Sequence, residues 1–243
     1  MKTEDRKPAP EGVAAVIAAQ LRDAIIAGDL ATGERLPGEQ ELGERYGVSR
    51  PTIREALKRL AAQNLIRSRR GPTGGTFINR ISWTEAHESL ATLSTLVVGM
   101  QGADPAEVIE ARAALLKACL PFAVRQRDQT HLAVMRAEID AQRDERTSDE
   151  DFCASDVRFH RALADATGNP VLAFQMAGVV EGMQPLLNMI TYQARDRERI
   201  AAGHEIIADA IEARDAASAT GAIGELAAYQ NGLTAGLLTR KTK

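Results

Sequence analysis

Apolar residues recur with a helical period over most of the chain. Val13, Ile17, Leu21 and Ile25 fall four apart, which predicts an amphipathic helix ended by Gly28. The stretch 31–39, ATGERLPGE, reads as a loop by its glycines and proline. A short second helix follows over Gln40–Tyr46 and stops at Gly47. A third is expected from Ser49, a good N-cap, to about Gln63; Pro51 is tolerated there because first-turn amides have no intrahelical acceptor. The pattern then changes. In LIRSRRGPTGGTFINR, residues 65–80, apolar and β-branched residues flank a Gly/Pro tip, which predicts two short strands and a turn. Three helices and a hairpin, in that order, make a winged helix-turn-helix.

From Ser82 onward strand signals cease. Ser82-x-x-Glu85, Asp104-Pro105, Ser148-x-x-Asp151 and Gly168-Asn169-Pro170 each resemble a helix junction. Six or seven helices are expected, near 85–100, 105–127, 130–146, 149–167, 170–192, 195–213 and 215–238, with Pro185 kinking or breaking the fifth. The predicted fold class is therefore mainly α: a winged helix-turn-helix followed by an all-α bundle. The expected plan is a disordered arm at 1–10, a DNA-binding domain at 11–80, a linker at 81–84, a helical domain at 85–238 and a tail at 239–243.

Within the bundle the apolar stripes are interrupted. Arg112 falls among Val108, Leu115, Cys119 and Phe122, and Asp156 and His160 fall among Phe152, Phe159 and Leu163. His204 lies with Ile200, Ile207 and Ile211, and Gln230 with Ala219, Ile223, Leu226 and Leu233. Burying an ion without a partner costs several kcal/mol or its protonation state, so five inward polar residues call for a shared explanation. Three stand side by side. One is a buried network around an Arg112–Asp156 ion pair. Another is a pocket for a small anion, gripped by Arg112, His160, His204 and Gln230. The third adds a divalent metal on Asp156 and His160, four apart on one helical face, with His204 as a further ligand.

Charge separates the two halves. Residues 1–80 carry 14 Lys/Arg against 10 Asp/Glu, and residues 81–243 carry 16 against 23. A basic head on an acidic body suggests that only the head meets a polyanion. Cys119 and Cys153 form no disulfide framework, which points to a reducing compartment. The polar start MKTEDRKPAPEG has no apolar core of a signal peptide, and the longest apolar run, at 90–100, is too short to span a bilayer. A cytoplasmic location is expected.

The basic residues cluster where the third helix begins. Residues 48–70 hold seven Lys/Arg and one acid, Glu55. In GVSRPTIREALKRL, residues 47–60, Ile53, Ala56, Leu57 and Leu60 face inward while Arg54 and Lys58 project away and Arg50 sits at the helix mouth with Ser49 and Thr52. The amides and dipole of a helix N-terminus favour a phosphate, and arginine forks can bond guanine edges in the major groove. Arg69 and Arg70 join them on a glycine-rich tip.

The stretch IIAGDLATGERLPGEQELGERYGVSRPTIREALKRLAAQNLIRSRRGPTGGTFI, residues 25–78, resembles the GntR-type transcriptional regulators, and the helical second half resembles the FadR-like subgroup, whose ligand-sensing domain is called FCD. The resemblance implies that Ser49, Arg50, Thr52 and Arg54, with Arg70 and Gly71 of the wing, contact operator DNA. Some relatives carry a basic residue at the position of Gln40. It also implies a metal (Zn, Ni or Mn) on the Asp and His of a D-x-x-F-H motif, matched by Asp156, Phe159 and His160, and on the histidine matched by His204. The family's fourth ligand, a histidine 22 residues further on, is here Leu226, and the glutamate often found after the arginine matched by Arg112 is here Leu116.

The expected function is a sequence-specific regulator, not an enzyme: a homodimer on a palindromic operator in double-stranded DNA, its affinity set by a small carboxylate effector, with no membrane partner. Two alternatives remain at this point. One is a metal-dependent enzyme fused to a DNA-binding head; the other is an architectural DNA binder without ligand.

Overall fold

The computed structural model describes residues 11–192 and 194–241. The expected arm at 1–10 and the last two residues of the expected tail lie outside them. The described chain forms two compact units that divide between Ser82 and Trp83.

The first unit contains α1 (Glu11–Ala27), α2 (Glu39–Tyr46), α3 (Arg50–Ala62), β1 (Ile66–Arg69) and β2 (Gly75–Ile78). Its core joins Ile17 and Leu21 of α1 to Leu42, Ile53, Leu60, Ile66 and Ile78. Each such side chain contributes about 1.5–3 kcal/mol on leaving water. The turn between α2 and α3 is tight because Gly47 adopts a left-handed conformation (φ 64°), its amide reaching back to Glu44 and Gly43 carbonyls. Gly43 is equally constrained, since a Cβ there would lie 3.0 Å from the Val48 carbonyl oxygen. The hairpin is antiparallel, with Ile66 opposite Ile78 and Arg69 opposite Gly75. The loop before α2 adds an edge to it through Leu36 N to Thr76 O (2.8 Å) and Ile78 N to Glu34 O (2.8 Å).

The second unit is α-helical throughout: α4 (Trp83–Gln101), α5 (Pro105–Gln126), α6 (Gln129–Arg143), α7 (Asp149–Asp165), α8 (Pro170–Thr191), α9 (Arg197–Glu212) and α10 (Ala216–Lys241). Three expected junctions carry true caps. Asp104 closes a capping box with Glu107, Ser148 Oγ accepts from Asp151 N, and Asn169 accepts from Val171 N and Leu172 N. Helix α4 begins at Trp83, which shortens the expected linker, and α10 runs on to Lys241. Helix α8 is continuous across Pro185, so the expected break does not occur. It approaches α4 closely because Gly182 leaves room for Ser94 and the Ala91 carbonyl, which would lie 2.6 and 2.7 Å from an added Cβ. Thr95 Oγ1 donates to the Gly182 carbonyl across this crossing (2.6 Å).

The main core lies among α5, α6, α7 and α9, built on Leu120, Met135, Phe159, Leu163, Ile207 and Ile211. One stripe differs from the expectation. On α5 the buried residues are Val108, Ile109, Arg112, Leu116, Cys119, Leu120, Ala123 and Val124. Leu115 and Phe122, expected inside, are 40 and 37% exposed. The buried face is centred one position further on because α5 is packed by both α10 and α8, so two flanking rows are covered instead of one.

Candidate functional site

Helix α3 presents its basic N-terminus outward. Ser49 is its N-cap residue, and Ser49, Arg50 and Arg54 are exposed. Two residues of α2 hold these arginines. Arg50 Nη2 donates to Gln40 Oε1, and Arg54 donates a fork to Glu39, Nε to Oε1 at 3.1 Å and Nη2 to Oε2 at 2.7 Å. The Arg54 bonds hold the Glu39 carboxyl below its ordinary value. An exposed pair of this kind is weak because water screens it, whereas a bidentate guanine contact is worth about 1–3 kcal/mol of discrimination. The fork can therefore exchange Glu39 for a base edge.

Thr52 corrects the expectation. It is 6% exposed, and its Oγ1 lies 2.9 Å from Ser49 Oγ, so it braces the N-cap residue. The wing tip keeps Arg70 and Gly71 exposed, Gly71 at φ 108°. Arg69 instead lies over the Phe77 ring (5.4 Å). Glu39 was missed in the sequence because its partner stands 15 residues away on another helix.

In the helical unit the interrupted stripes do converge. Arg112 from α5, Asp156 and His160 from α7 and His204 from α9 are all buried. Arg112 Nη2 lies 3.3 Å from Asp156 Oδ2 and 3.0 and 3.1 Å from the two ring nitrogens of His160, while Nη1 reaches Gln230 Oε1 at 3.4 Å. His204 Nε2 lies 3.3 Å from Asp156 Oδ1, and its ring stacks on Phe159 (4.1 Å between centroids).

The proton positions follow from the surrounding donors. Ser155 donates its hydroxyl to the Glu138 carbonyl (2.9 Å), so its oxygen is left to accept from Gln142 Nε2 (3.2 Å). That orients the amide with Oε1 facing His204 Nδ1 at 2.7 Å, and Nδ1 must carry a proton. His160 Nδ1 donates in the same way to the Asp156 backbone carbonyl (2.8 Å). His160 Nε2 is then left to accept from Arg112 Nη2 (3.1 Å), and His204 Nε2 presents its lone pair towards Asp156. His204 Nε2 and the Asp156 carboxylate, two acceptors at 3.3 Å, need a proton or a cation between them.

Electrostatics agree with this arrangement. Burial, reinforced by Arg112, pushes His160 down to about 3, so its ring is neutral at physiological pH. Burial alone would raise Asp156, but the Arg112 guanidinium beside it holds its carboxyl well below the usual range. Burial lowers Arg112, an effect partly offset by Asp156.

Ligand atoms of Asp156, His160 and His204 all lie within 4.8 Å of one another, a set that fits a divalent cation. Each histidine is braced by a carbonyl oxygen on its other nitrogen, as metal-bound imidazoles are. Three protein ligands would leave a coordination position for water or a carboxylate. The residue at the fourth family position, Leu226, packs over Gly203, where an added Cβ would lie 2.6 Å from Leu226 Cδ2. Arg112, His160, His204 and Gln230 line one small pocket with Leu226 and aliphatic residues of α5, α9 and α10. Asp156 is not among the residues lining that space.

Gln142 and Ser155 belong to the constellation but were not singled out beforehand. The signal was present: Leu132, Met135, Ile139 and Gln142 share one buried face of α6, another inward stripe broken by a polar residue.

Comparison with known proteins accounts for both units. Residues 13–78 match "Bacterial regulatory proteins, gntR family" and residues 107–228 match "FCD domain". The Escherichia coli (strain K12) "Putative L-lactate dehydrogenase operon regulatory protein" is 30% identical over 233 residues, 85% of this chain and 80% of its own length. The Escherichia coli (strain K12) "Uxu operon transcriptional regulator" is 32% identical over 158 residues, 64% of this chain and 59% of its own. The solved structure titled "Streptococcus agalactiae GntR" shares the fold with a TM-score of 0.57 at 21% identity, covering 86% of this chain and 94% of that one. The chain belongs to the GntR family of bacterial regulatory proteins and carries an FCD domain; it is a transcription regulator and not an enzyme.

Proposed function

We propose that this GntR-family regulator binds a palindromic operator as a homodimer in the cytoplasm, and that a small carboxylate held in the helical unit sets its DNA affinity. The observation that carries this reading is the meeting of Arg112, His160, His204 and Gln230 on one pocket whose wall is otherwise aliphatic. A guanidinium and two imidazoles facing apolar walls suit a short carboxylate with a small apolar body. The first relative's name, which refers to an L-lactate dehydrogenase operon, is in keeping with a hydroxy-acid effector.

Asp156, His160 and His204 would hold a divalent Zn, Ni or Mn ion, and a bound metal would supply a point charge on which the effector's carboxylate could rest. Ser49, Arg50, Arg54, Arg70 and Gly71 would meet the operator, with Thr52 behind them. A ligand changes DNA affinity only through its different affinity for the two arrangements of the protein.

Dimerisation has support from α4. Leu93, Leu96, Val97 and Met100 lie three and four apart on that helix and are 51–79% exposed, an apolar stripe that a second copy would cover. No helix among the described residues is long and apolar enough to cross a membrane.

The test is operator selection from random duplexes, followed by binding of the selected site with and without each of a panel of short carboxylates. The reading requires a carboxylate that changes operator affinity at least tenfold and raises the melting temperature. If no panel member does either, the sensor role is wrong.

A further inference from the structure

Helix α2 holds α3 at a second point besides the Glu39 fork, and this hold is built differently. Gln40, Glu44 and Arg50 are all exposed. Gln40 Nε2 donates to Glu44 Oε1 (3.2 Å), one turn further along α2, and Gln40 Oε1 accepts from Arg50 Nη2. Both ends of the amide are therefore specified. Turned over, its oxygen would face a carboxylate and its NH2 group a guanidinium, and neither bond would form.

The residue type matters because position 40 stands between an acid and a base. A glutamate there would be repelled by Glu44, and a lysine or arginine by Arg50. A neutral amide, with a donor and an acceptor, satisfies both neighbours. A basic residue, as some relatives carry at this position, cannot do so.

Arg50 is the first residue of α3, and the tight turn at Gly47 fixes its backbone relative to α2. The bond to Gln40 uses Nη2 and leaves the other N–H groups of the guanidinium for a base edge. An arginine without such a hold samples many rotamers and meets phosphates and bases alike. Held beforehand, it loses less side-chain entropy when DNA arrives. Water screens the two bonds in the free protein, and they strengthen where a DNA interface excludes it.

We propose that Gln40 is a positioning residue for operator recognition: it acts on sequence preference through Arg50, is itself oriented by Glu44, and makes no contact with DNA. The proposal rests on the winged unit reading a specific operator.

The experiment begins with operator selection by the full-length wild type and by Arg50→Ala. The base pair whose preference disappears in Arg50→Ala is the one that Arg50 reads. Fluorescence anisotropy then compares the selected operator with a duplex altered at that pair. Gln40→Leu should reduce this discrimination about fivefold, a part of the rotamer entropy that a fixed arginine gives up. Preference at other pairs and the melting temperature should stay as in the wild type. No charge is removed, so the salt slope should not change. In the Arg50→Ala background the same substitution should have no effect. Gln40→Arg should bind every duplex more tightly, with a salt slope steeper by about one, yet discriminate less at that pair. Glu44→Leu should lower discrimination at the same pair by a smaller factor.

If Gln40→Leu weakens binding as much in the Arg50→Ala background as in the wild type, Gln40 touches DNA itself and the proposal is overturned. Unchanged discrimination in Gln40→Leu, or an Arg50→Ala variant that keeps every preference, would overturn it equally. Those failures leave selection by the wild type, and so the operator reading, intact. A wild type that selects no site overturns both.

Discussion

The Gln142 amide oxygen lies 2.7 Å from His204 Nδ1, across 62 residues of sequence, and it decides which nitrogen of that ring faces the pocket. Ser155 fixes the amide in turn, so the arrangement has one stable orientation. Replacing Gln142 with Leu should leave the His204 N–H unpaired in the interior, at a cost of about 1–3 kcal/mol. It should also weaken metal binding by ~10–100-fold, the usual effect of losing an outer-shell partner. Zinc competition against a chromophoric chelator measures the second effect, and nitrogen NMR of the imidazole reports the tautomer. An unaltered affinity and tautomer would show that Gln142 is only filling space.

Leu226 stands where the family resemblance expects a fourth histidine, and it borders the same pocket as His160 and His204. Leu226→His should therefore tighten zinc binding by ~10-fold or more, because a fourth nitrogen donor replaces an open position. Should the variant bind zinc no better than the wild type, Leu226 lies out of coordinating reach.

With no metal bound, stability should depend on pH. The unfolded chain takes up a proton on His160 near its ordinary value of 6.5, whereas the folded site refuses it until about 3. The unfolded state therefore binds more protons over that interval, and stability falls as pH drops through it, with a limiting slope of ~1.4 kcal/mol per pH unit for one group. Asp156, also depressed, acts in the same direction below its own unfolded value. Urea midpoints in excess chelator should decline from pH 6.5 towards pH 4, and His160→Gln should flatten the upper part. A level profile in the wild type would contradict a neutral, buried His160.

On the DNA side, Arg54→Ala should cost about 1–3 kcal/mol on the selected operator and relax preference at one base pair. Arg70→Ala should weaken all duplexes alike and reduce the salt slope by about one. Glu39→Gln separates positioning from contact. It should raise affinity for random DNA by removing a negative charge, yet lower the ratio of operator to random binding because the fork is no longer held. Fluorescence anisotropy at two salt concentrations distinguishes these outcomes, and an improved ratio in Glu39→Gln would refute the positioning role.

The stripe on α4 can be tested directly. Leu93→Glu combined with Leu96→Glu should convert a dimer into a monomer at micromolar concentration, as read by sedimentation equilibrium. If the wild type itself sediments as a monomer, the homodimer is wrong.

Much of this protein was legible one helix at a time. The four-residue spacing from Val13 to Ile25, the Ser49 cap with Pro51 and the Gly/Pro tip at 71–75 each specify backbone geometry through interactions within a few residues. Arg112, Asp156, His160 and His204 stood out for a similar reason, since each breaks an apolar stripe on its own helix. Packing decided the rest. Whether Leu115 or Leu116 turns inward depends on which neighbours flank α5, and Thr52 is covered because the fold covers it. The partners of the polar groups are likewise matters of three-dimensional arrangement: Gln142 meets His204, Glu39 meets Arg54, and Leu226 fills the notch at Gly203. Hydrogen bonds act over about 3 Å, whatever the separation along the chain. The sequence alone therefore determined which side chains would have to be buried with their charges and dipoles. Only the tertiary structure decided what each would meet there, and so which nitrogen, which oxygen and which cavity a ligand would find.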